Sequence, residues 1–253
     1  MEKLYPQFER MAPEDVYSDL AFPSGLPNRP YVVINMVTTV DGKATNLVGK
    51  AYTLGSQVDR LVMRRIRSAA DAVLNGAETL RRENVNPSVP AELEPIRVAR
   101  GLSPQPVAVT VTASCNLPLD RTFFQAREVP SVVVTTEHAP AEKVALLAKH
   151  ARIVRAGEYA VDLPLMLRLL TEELGVRRLV VEGGPTLNAE LISLGLADEL
   201  FWTVAPKILA GPAERTMVEE SPLLPEERPT MELVSVHHHE SELYLRYRFV
   251  RSE

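Results

Sequence analysis

The sequence predicts an α/β protein built on a mainly parallel central sheet. Three observations lead there. Short, nearly continuous apolar runs recur along the chain, as strands buried on both faces require. Segments with helical spacing separate them, and this alternation builds parallel sheets with helices on both faces. The last two runs instead alternate apolar and polar residues around a polar turn, so they read as an antiparallel hairpin added to the sheet edge.

The elements follow in order. Residues 1–30 hold five prolines and little periodicity, and read as an N-terminal arm lying on the surface, of this chain or of a partner subunit, ahead of one domain over 31–253. Tyr31 to Val37 (YVVINMV) is a buried strand, ended by the turn signal Thr38-Thr39-Val40-Asp41-Gly42. From Ser56 to Ala70, Val58, Leu61, Val62, Ile66 and Ala69 share a helical face, with Ser56 as N-cap. Ala72-Val73-Leu74 is a short strand, and Glu78 to Glu83 starts a second helix. Residues 86–106 carry five more prolines and read as a long functional or mobile loop. Four further strands are expected at Val107–Val111, Ser131–Thr135, Arg178–Val181 and Leu200–Val204, with helices near 139–149, 164–174 and 185–194. Met231–Val236 and Leu243–Val250 form the hairpin.

Composition excludes several classes. A net charge of −5 gives no broad surface for nucleic acid. No run approaches the ~18 apolar residues of a membrane span, and no basic region precedes an apolar stretch at Met1–Pro6. The single cysteine, Cys115, allows no intrachain disulfide, which fits a reducing compartment. A cytoplasmic protein is expected, with no membrane and no nucleic-acid partner. An anionic ligand would need local devices such as helix N-termini and single arginines.

Three stretches could provide them. In Val180-Val181-Glu182-Gly183-Gly184-Pro185-Thr186-Leu187 a buried strand meets two glycines and a helix begins at once. Glycines permit close backbone approach, and a new helix end offers free N–H groups to a phosphate. The plainer reading is a turn that needs glycine for geometry alone. The pattern is not the GxGxxG fingerprint, so an ordinary dinucleotide-binding domain is not favoured. Val73-Leu74-Asn75-Gly76-Ala77-Glu78-Thr79 repeats the strand, glycine, helix order, with Arg81 and Arg82 nearby as either phosphate partners or a solvated helix face. Two such turns at one sheet edge would clasp a dinucleotide. Asp41-Gly42 after a strand is first of all a turn, although the acid could orient a substrate.

Together these stretches resemble the C-terminal reductase domain of the bifunctional riboflavin-biosynthesis deaminase/reductase and its stand-alone pyrimidine reductase relatives. The matching segments are RPYVVINMVTTVDGKAT, IRSAADAVLNGAETLRREN, LVVEGGPTLNAELISLGLADEL and TVAPKILAG, spanning residues 29 to 211. The resemblance implies a dihydrofolate-reductase-like three-layer α-β-α sandwich and a single reductase domain over 31–253. It also implies NADPH as hydride donor, a phosphorylated ribosylamino-pyrimidine substrate, and a homodimer. Cofactor contacts would fall on Gly76, Thr79, Glu83, Gly183, Gly184, Pro185, Thr186 and Leu187. Arg67, Asn35 and Glu182 would face substrate, and Glu182 and Asp41 are the candidates for polar groups near the reacting carbon. Arg81, Arg82 and Ser114 are candidates for the cofactor 2′-phosphate.

The chain departs from that pattern on the substrate side. Asn35 stands where a lysine is frequent, a serine is replaced near Ala51, and the usual Asp-Asp-Pro reads Glu83-Asn84-Val85-Asn86-Pro87. A zinc-deaminase signature is absent. Two other functions stay open: reduction of another heterocycle on the same fold, and non-catalytic NADPH binding. His237-His238-His239 reads as a polar turn rather than a metal site, because only 237 and 239 share a strand face and no third ligand is evident. Trp202 reads as core or subunit interface, Cys115 as a small residue at a strand end, and Asp198-Glu199 as a helix-to-strand connection.

Overall fold

The computed structural model describes residues 1–44, 54–126, 128–211, 215–219 and 228–250; Ala51 lies outside them. In chain order the first elements are β1 (Glu2–Tyr5), β2 (Glu9–Arg10), β3 (Tyr31–Thr39), α1 (Gln57–Ser68), β4 (Ala72–Gly76) and α2 (Ala77–Arg82). Then come α3 (Glu94–Ala99), β5 (Val107–Val111), α4 (Thr122–Gln125), β6 (Ser131–Thr135), α5 (Ala141–Leu147) and β7 (Arg152–Arg155). The chain continues with α6 (Leu163–Leu174), β8 (Arg178–Val181), α7 (Pro185–Ser193), β9 (Glu199–Ala205), β10 (Met231–His239) and β11 (Glu242–Phe249). The chain divides into two compact units. One comprises Met1–Leu20, Val32–Ile66 and Pro185–Glu253; the other comprises Ala21–Tyr31 and Arg67–Gly184.

The second unit holds five strands in the order β8-β4-β5-β6-β7, every neighbouring pair parallel. Their sequences are runs of valine, alanine and leucine because both faces are covered; Val73, Leu74, Val109, Val133 and Val180 are all fully buried. β7 was not expected from sequence. Its four residues, Arg-Ile-Val-Arg, place two apolar side chains between two arginines and give no run long enough to stand out. A core of Leu80, Phe123, Phe124, Val133 and Leu147 packs within this unit. The start and stop signals of α6 are both local. Asp162 Oδ1 accepts from the Leu165 amide at 2.8 Å, and Gly175 closes the helix at φ 67°.

In the first unit the strand order is β2-β1-β10-β11-β9-β3. β3 and β9 are parallel, while β9-β11, β11-β10, β10-β1 and β1-β2 are antiparallel. The C-terminal hairpin is present, but it does not end the sheet. β11 pairs with β9 and β10 pairs with β1, so the N-terminal segment supplies the outer strands. The expectation of a wholly superficial arm misses this. Val16, Tyr17 and Leu20 are also buried, with the Tyr17 ring edge-on to Phe201 at 5.2 Å. The three histidines 237–239 lie in β10 rather than in the turn, which falls at Glu240 and Ser241. Among the described residues no cluster of three or more His, Cys, Asp or Glu is arranged to hold a metal. No helix among them is long and apolar enough to cross a membrane.

The proline-rich stretch over 86–106 is not the open loop its composition suggests. It contains α3 and is braced by side chains. The Gln105 carboxamide accepts from Val89 N and donates to Val89 O, both at 2.9 Å, and also donates to Glu94 at 2.6 Å.

Candidate functional site

The C-terminal ends of parallel strands are where α/β sheets leave backbone groups for ligands, and two of the motifs read from sequence meet there. β4 runs out at Gly76 and β8 at Val181. The Gly76 amide donates to Gly183 O at 2.7 Å, and the Glu182 amide donates to Leu74 O at 2.9 Å. Gly183 has φ 86°, a left-handed conformation natural to glycine. Gly76 has φ −66° and ψ 149°, open to any residue; its requirement is one of space. A Cβ at Gly76 would lie 2.9 Å from Gly184 N, and one at Gly184 would lie 3.4 Å from Thr79 Oγ1. Gly76, Thr79, Gly183 and Gly184 therefore form one cradle, lined by main chain and a hydroxyl. Helix α7 starts at the next residue, Pro185; Thr186 is half-buried and Leu187 is buried. Glu83 caps the end of α2, its amide donating to Thr79 O at 2.8 Å.

Immediately before the two glycines stands a buried ion pair. Arg67, from the last turn of α1, donates through Nε to Glu182 Oε1 and through Nη2 to Glu182 Oε2, each at 2.6 Å. Their side chains are 5% and 9% exposed. Arg67 Nη1 donates to Asn86 O at 2.6 Å and Ser88 O at 3.2 Å. A bidentate guanidinium–carboxylate pair fixes both planes. Arg67 thus ties the end of β8 to the Asn86–Ser88 segment. Both Glu182 oxygens accept from Arg67, so this carboxylate is an anchor for the end of β8.

Asp41 occupies the exposed turn after β3. Gly42 takes φ 78° there, and its amide donates to Thr39 O at 2.9 Å. Asp41 Oδ1 accepts from the Thr39 hydroxyl at 2.5 Å and from Leu209 N at 3.3 Å, and Oδ2 accepts from Ala210 N at 2.8 Å. The Thr39 hydroxyl first, then the Ala210 amide, hold its carboxyl below the usual carboxylate range. It is an anion at neutral pH that ties the 209–210 segment to the turn. Asn35 lies in β3, in register with Phe201 of β9, and is half-buried.

Arg81 and Arg82 both pair with Glu78, at 2.8 and 2.7 Å. They occupy the last turn of α2, where cations suit the carbonyl end of a helix. Ser114 Oγ lies 3.5 Å from Thr112 Oγ1 in the segment after β5. Cys115 is buried there with Sγ 3.1 Å from Thr135 Oγ1. Trp202 Nε1 donates to Thr38 Oγ1 at 2.8 Å. Asp198 accepts from Val32 N at 2.8 Å, and Glu199 is held by Arg246 at 2.8 Å.

Sequence reasoning missed Arg97. It is fully buried and donates to five backbone carbonyls: Nη1 to Arg67, Ser68 and Ala70 at 3.0, 3.2 and 2.7 Å, and Nε to Ser103 and Pro104 at 2.9 and 3.1 Å. Its desolvation lowers its pKa to about 10, which leaves it charged at neutral pH. An arginine among prolines and acids carries no sequence signal of burial; only the arrest of α1 at Ser68, with carbonyls needing donors, hints at a partner.

The fold is of the dihydrofolate-reductase-like class, with the glycine cradle at the ends of its parallel strands. Comparison with known proteins narrows this. Residues 30–245 match the RibD C-terminal domain, and the chain belongs to that family. A 2,5-diamino-6-ribosylamino-4(3H)-pyrimidinone 5′-phosphate reductase of Methanothermobacter thermautotrophicus is 35% identical over 191 residues, covering 76% of this chain and 84% of that protein. The protein of the same name from Archaeoglobus fulgidus is 34% identical over 184 residues, covering 72% and 83%. Among solved structures, a pyrimidine reductase-like protein of Corynebacterium diphtheriae shares the fold with a TM-score of 0.77 at 22% identity, over 96% of this chain and all of that one.

Proposed function

We propose that the chain is an NADPH-dependent reductase of a 5-amino-6-(5-phosphoribosylamino)pyrimidine intermediate, turning a ribosylamino into a ribitylamino group in riboflavin biosynthesis. The observation that carries the proposal is the contact between the Gly76 and Gly183-Gly184 turns beside the Arg67–Glu182 pair. The Cβ-free cradle suits a diphosphate bridge, which needs close main-chain approach. Gly76, Thr79, Gly183 and Gly184 would hold it, with Glu83 and the start of α7 at Pro185, Thr186 and Leu187 alongside. Names carried by the relatives supply the substrate class.

When bound, the cofactor supplies a hydride to C1′ of the ring-opened sugar imine, and the imine nitrogen gains a proton. The protein's part is orientation. Glu182 fixes Arg67 and the end of β8 against the cradle, and Arg67 fixes the carbonyls of Asn86 and Ser88. Asp41, held as an anion, steadies its turn and is no proton donor at neutral pH. Asn35 faces substrate in this reading. The active form is a homodimer in the cytoplasm.

The test is NADPH oxidation by the purified protein with the diamino-ribosylamino-pyrimidinone phosphate and with its deaminated form, dihydrofolate serving as the comparison. Turnover of one ribosylamino substrate is expected. Turnover of dihydrofolate alone reassigns the substrate, and tight NADPH binding without any turnover leaves a binding protein. Sedimentation settles the dimer, and parallel assays with NADH settle the cofactor preference.

A further inference from the structure

We infer that Arg97 is a positioning residue for the substrate side of the site. The inference rests on the proposed function and on the expectation, drawn from the family resemblance, that Arg67 and Glu182 face substrate. Its ground is a closed polar circuit. Arg97 joins the Arg67, Ser68 and Ala70 carbonyls at the end of α1 to the Ser103 and Pro104 carbonyls. Gln105, next in sequence, is joined by two hydrogen bonds to Val89. From Val89 the chain leads back to Ser88 and Asn86, whose carbonyls accept from the Arg67 side chain. Arg67 is thus gripped twice, by its own carbonyl through Arg97 and by its guanidinium through the segment that Arg97 and Gln105 brace.

Stability alone does not call for this arrangement. A buried charge is costly to desolvate, and a well-packed apolar side chain commonly does as well or better. What a planar guanidinium adds is direction. Its donors fix two backbone segments at set angles, which the point charge of a lysine cannot do. The cradle of Gly76, Thr79, Gly183 and Gly184 takes no hydrogen bond from Arg97. The consequence is selective: loss of the fork should disturb substrate geometry and spare the cofactor.

The experiment is Arg97→Lys in the full chain, which keeps the charge and removes the fork. Expected is a rise of about tenfold in KM for the phosphorylated pyrimidine, with NADPH affinity, read by fluorescence titration, within about twofold of the parent. A lowered Tm with unchanged KM overturns the inference, because Arg97 then only stabilises. A joint loss of substrate and cofactor affinity overturns it too, as general loosening. Gln105→Met, which opens the same circuit at Val89, is expected to show the same split and serves if Arg97→Lys does not fold. Arg67→Lys separates the layers. A KM increase there without one in Arg97→Lys or Gln105→Met sinks the inference alone; no KM change in any of the three sinks the substrate-side reading beneath it.

Discussion

Gly76 and Gly184 approach so closely that a single methyl group on Gly76 would stand 2.9 Å from the Gly184 nitrogen. The backbone angles of Gly76 suit alanine, so the effect of Gly76→Ala isolates space from conformational strain. The Cβ must push the Gly183-Gly184 turn away. NADPH affinity is expected to fall at least about tenfold, roughly 1.4 kcal/mol, with the protein still folded by circular dichroism. Unchanged affinity in a titration removes the cradle as the cofactor site.

The Arg67–Glu182 pair makes a second prediction, about stability. Removing one partner of a buried ion pair strands the other charge, at a cost of roughly 3–5 kcal/mol. Glu182→Leu should therefore lower the urea midpoint strongly. The double variant Arg67→Met/Glu182→Leu should recover part of that loss, because no charge is left uncompensated. A double variant as unstable as the sum of the two singles would show that the pair does not act as a unit.

His237 makes a third. It is buried in β10, facing Lys3 of β1 and Tyr244 of β11 in register, with the Tyr17 ring 5.0 Å away. Burial first, then Lys3, lowers its pKa to about 4 from 6.5. The folded state thus binds the proton less readily than the unfolded chain. Stability is full above the unfolded value and declines as pH falls from 6.5 towards about 4, by at most about 3 kcal/mol. Urea unfolding from pH 7 to 4 measures it. His237→Phe should flatten the profile in that window, and an unaltered slope rules out His237 as its source.

The fourth concerns Asp41, whose pKa lies below the ordinary 3.8 mainly through the Thr39 hydroxyl. Its contribution is present above 3.8 and is lost as pH falls further, through the lowered folded-state value. Asp41→Asn should remove that acid limb and free the 209–210 amides to faster hydrogen exchange. Exchange at Leu209 and Ala210 equal to the parent's would discard the tie between turn and segment.

The parallel strands were legible because burial on both faces writes itself as runs such as Val-Ala-Val-Thr-Val at 107–111 and Ser-Val-Val-Val-Thr at 131–135, whose bounds match β5 and β6. The two glycine turns were legible because glycine marks close approach. What stayed hidden depends on pairing over long sequence distances. Glu2–Tyr5 has no strand signature of its own and becomes β1 only because β10 offers an edge. The proline-rich segment looks open because its braces are side chains of Gln105 and Arg97, polar residues that read as solvated until their acceptors are seen. The pairing of Arg67 with Glu182 was not legible either, since sequence cannot tell which carboxylate a guanidinium will meet across more than a hundred residues.

The pairing of Glu2 and Lys3 with His238 and His237 carries a practical consequence for anyone preparing this protein. Clipping the first ten residues would do more than trim a tail: it would strip the cover from the edge of β10 at Val236, His237 and His238 and leave its backbone groups there unpaired. Such a ribbon recruits whatever extended peptide it meets, foremost its own copies, so truncated preparations should precipitate or form higher-order species where intact ones stay dispersed.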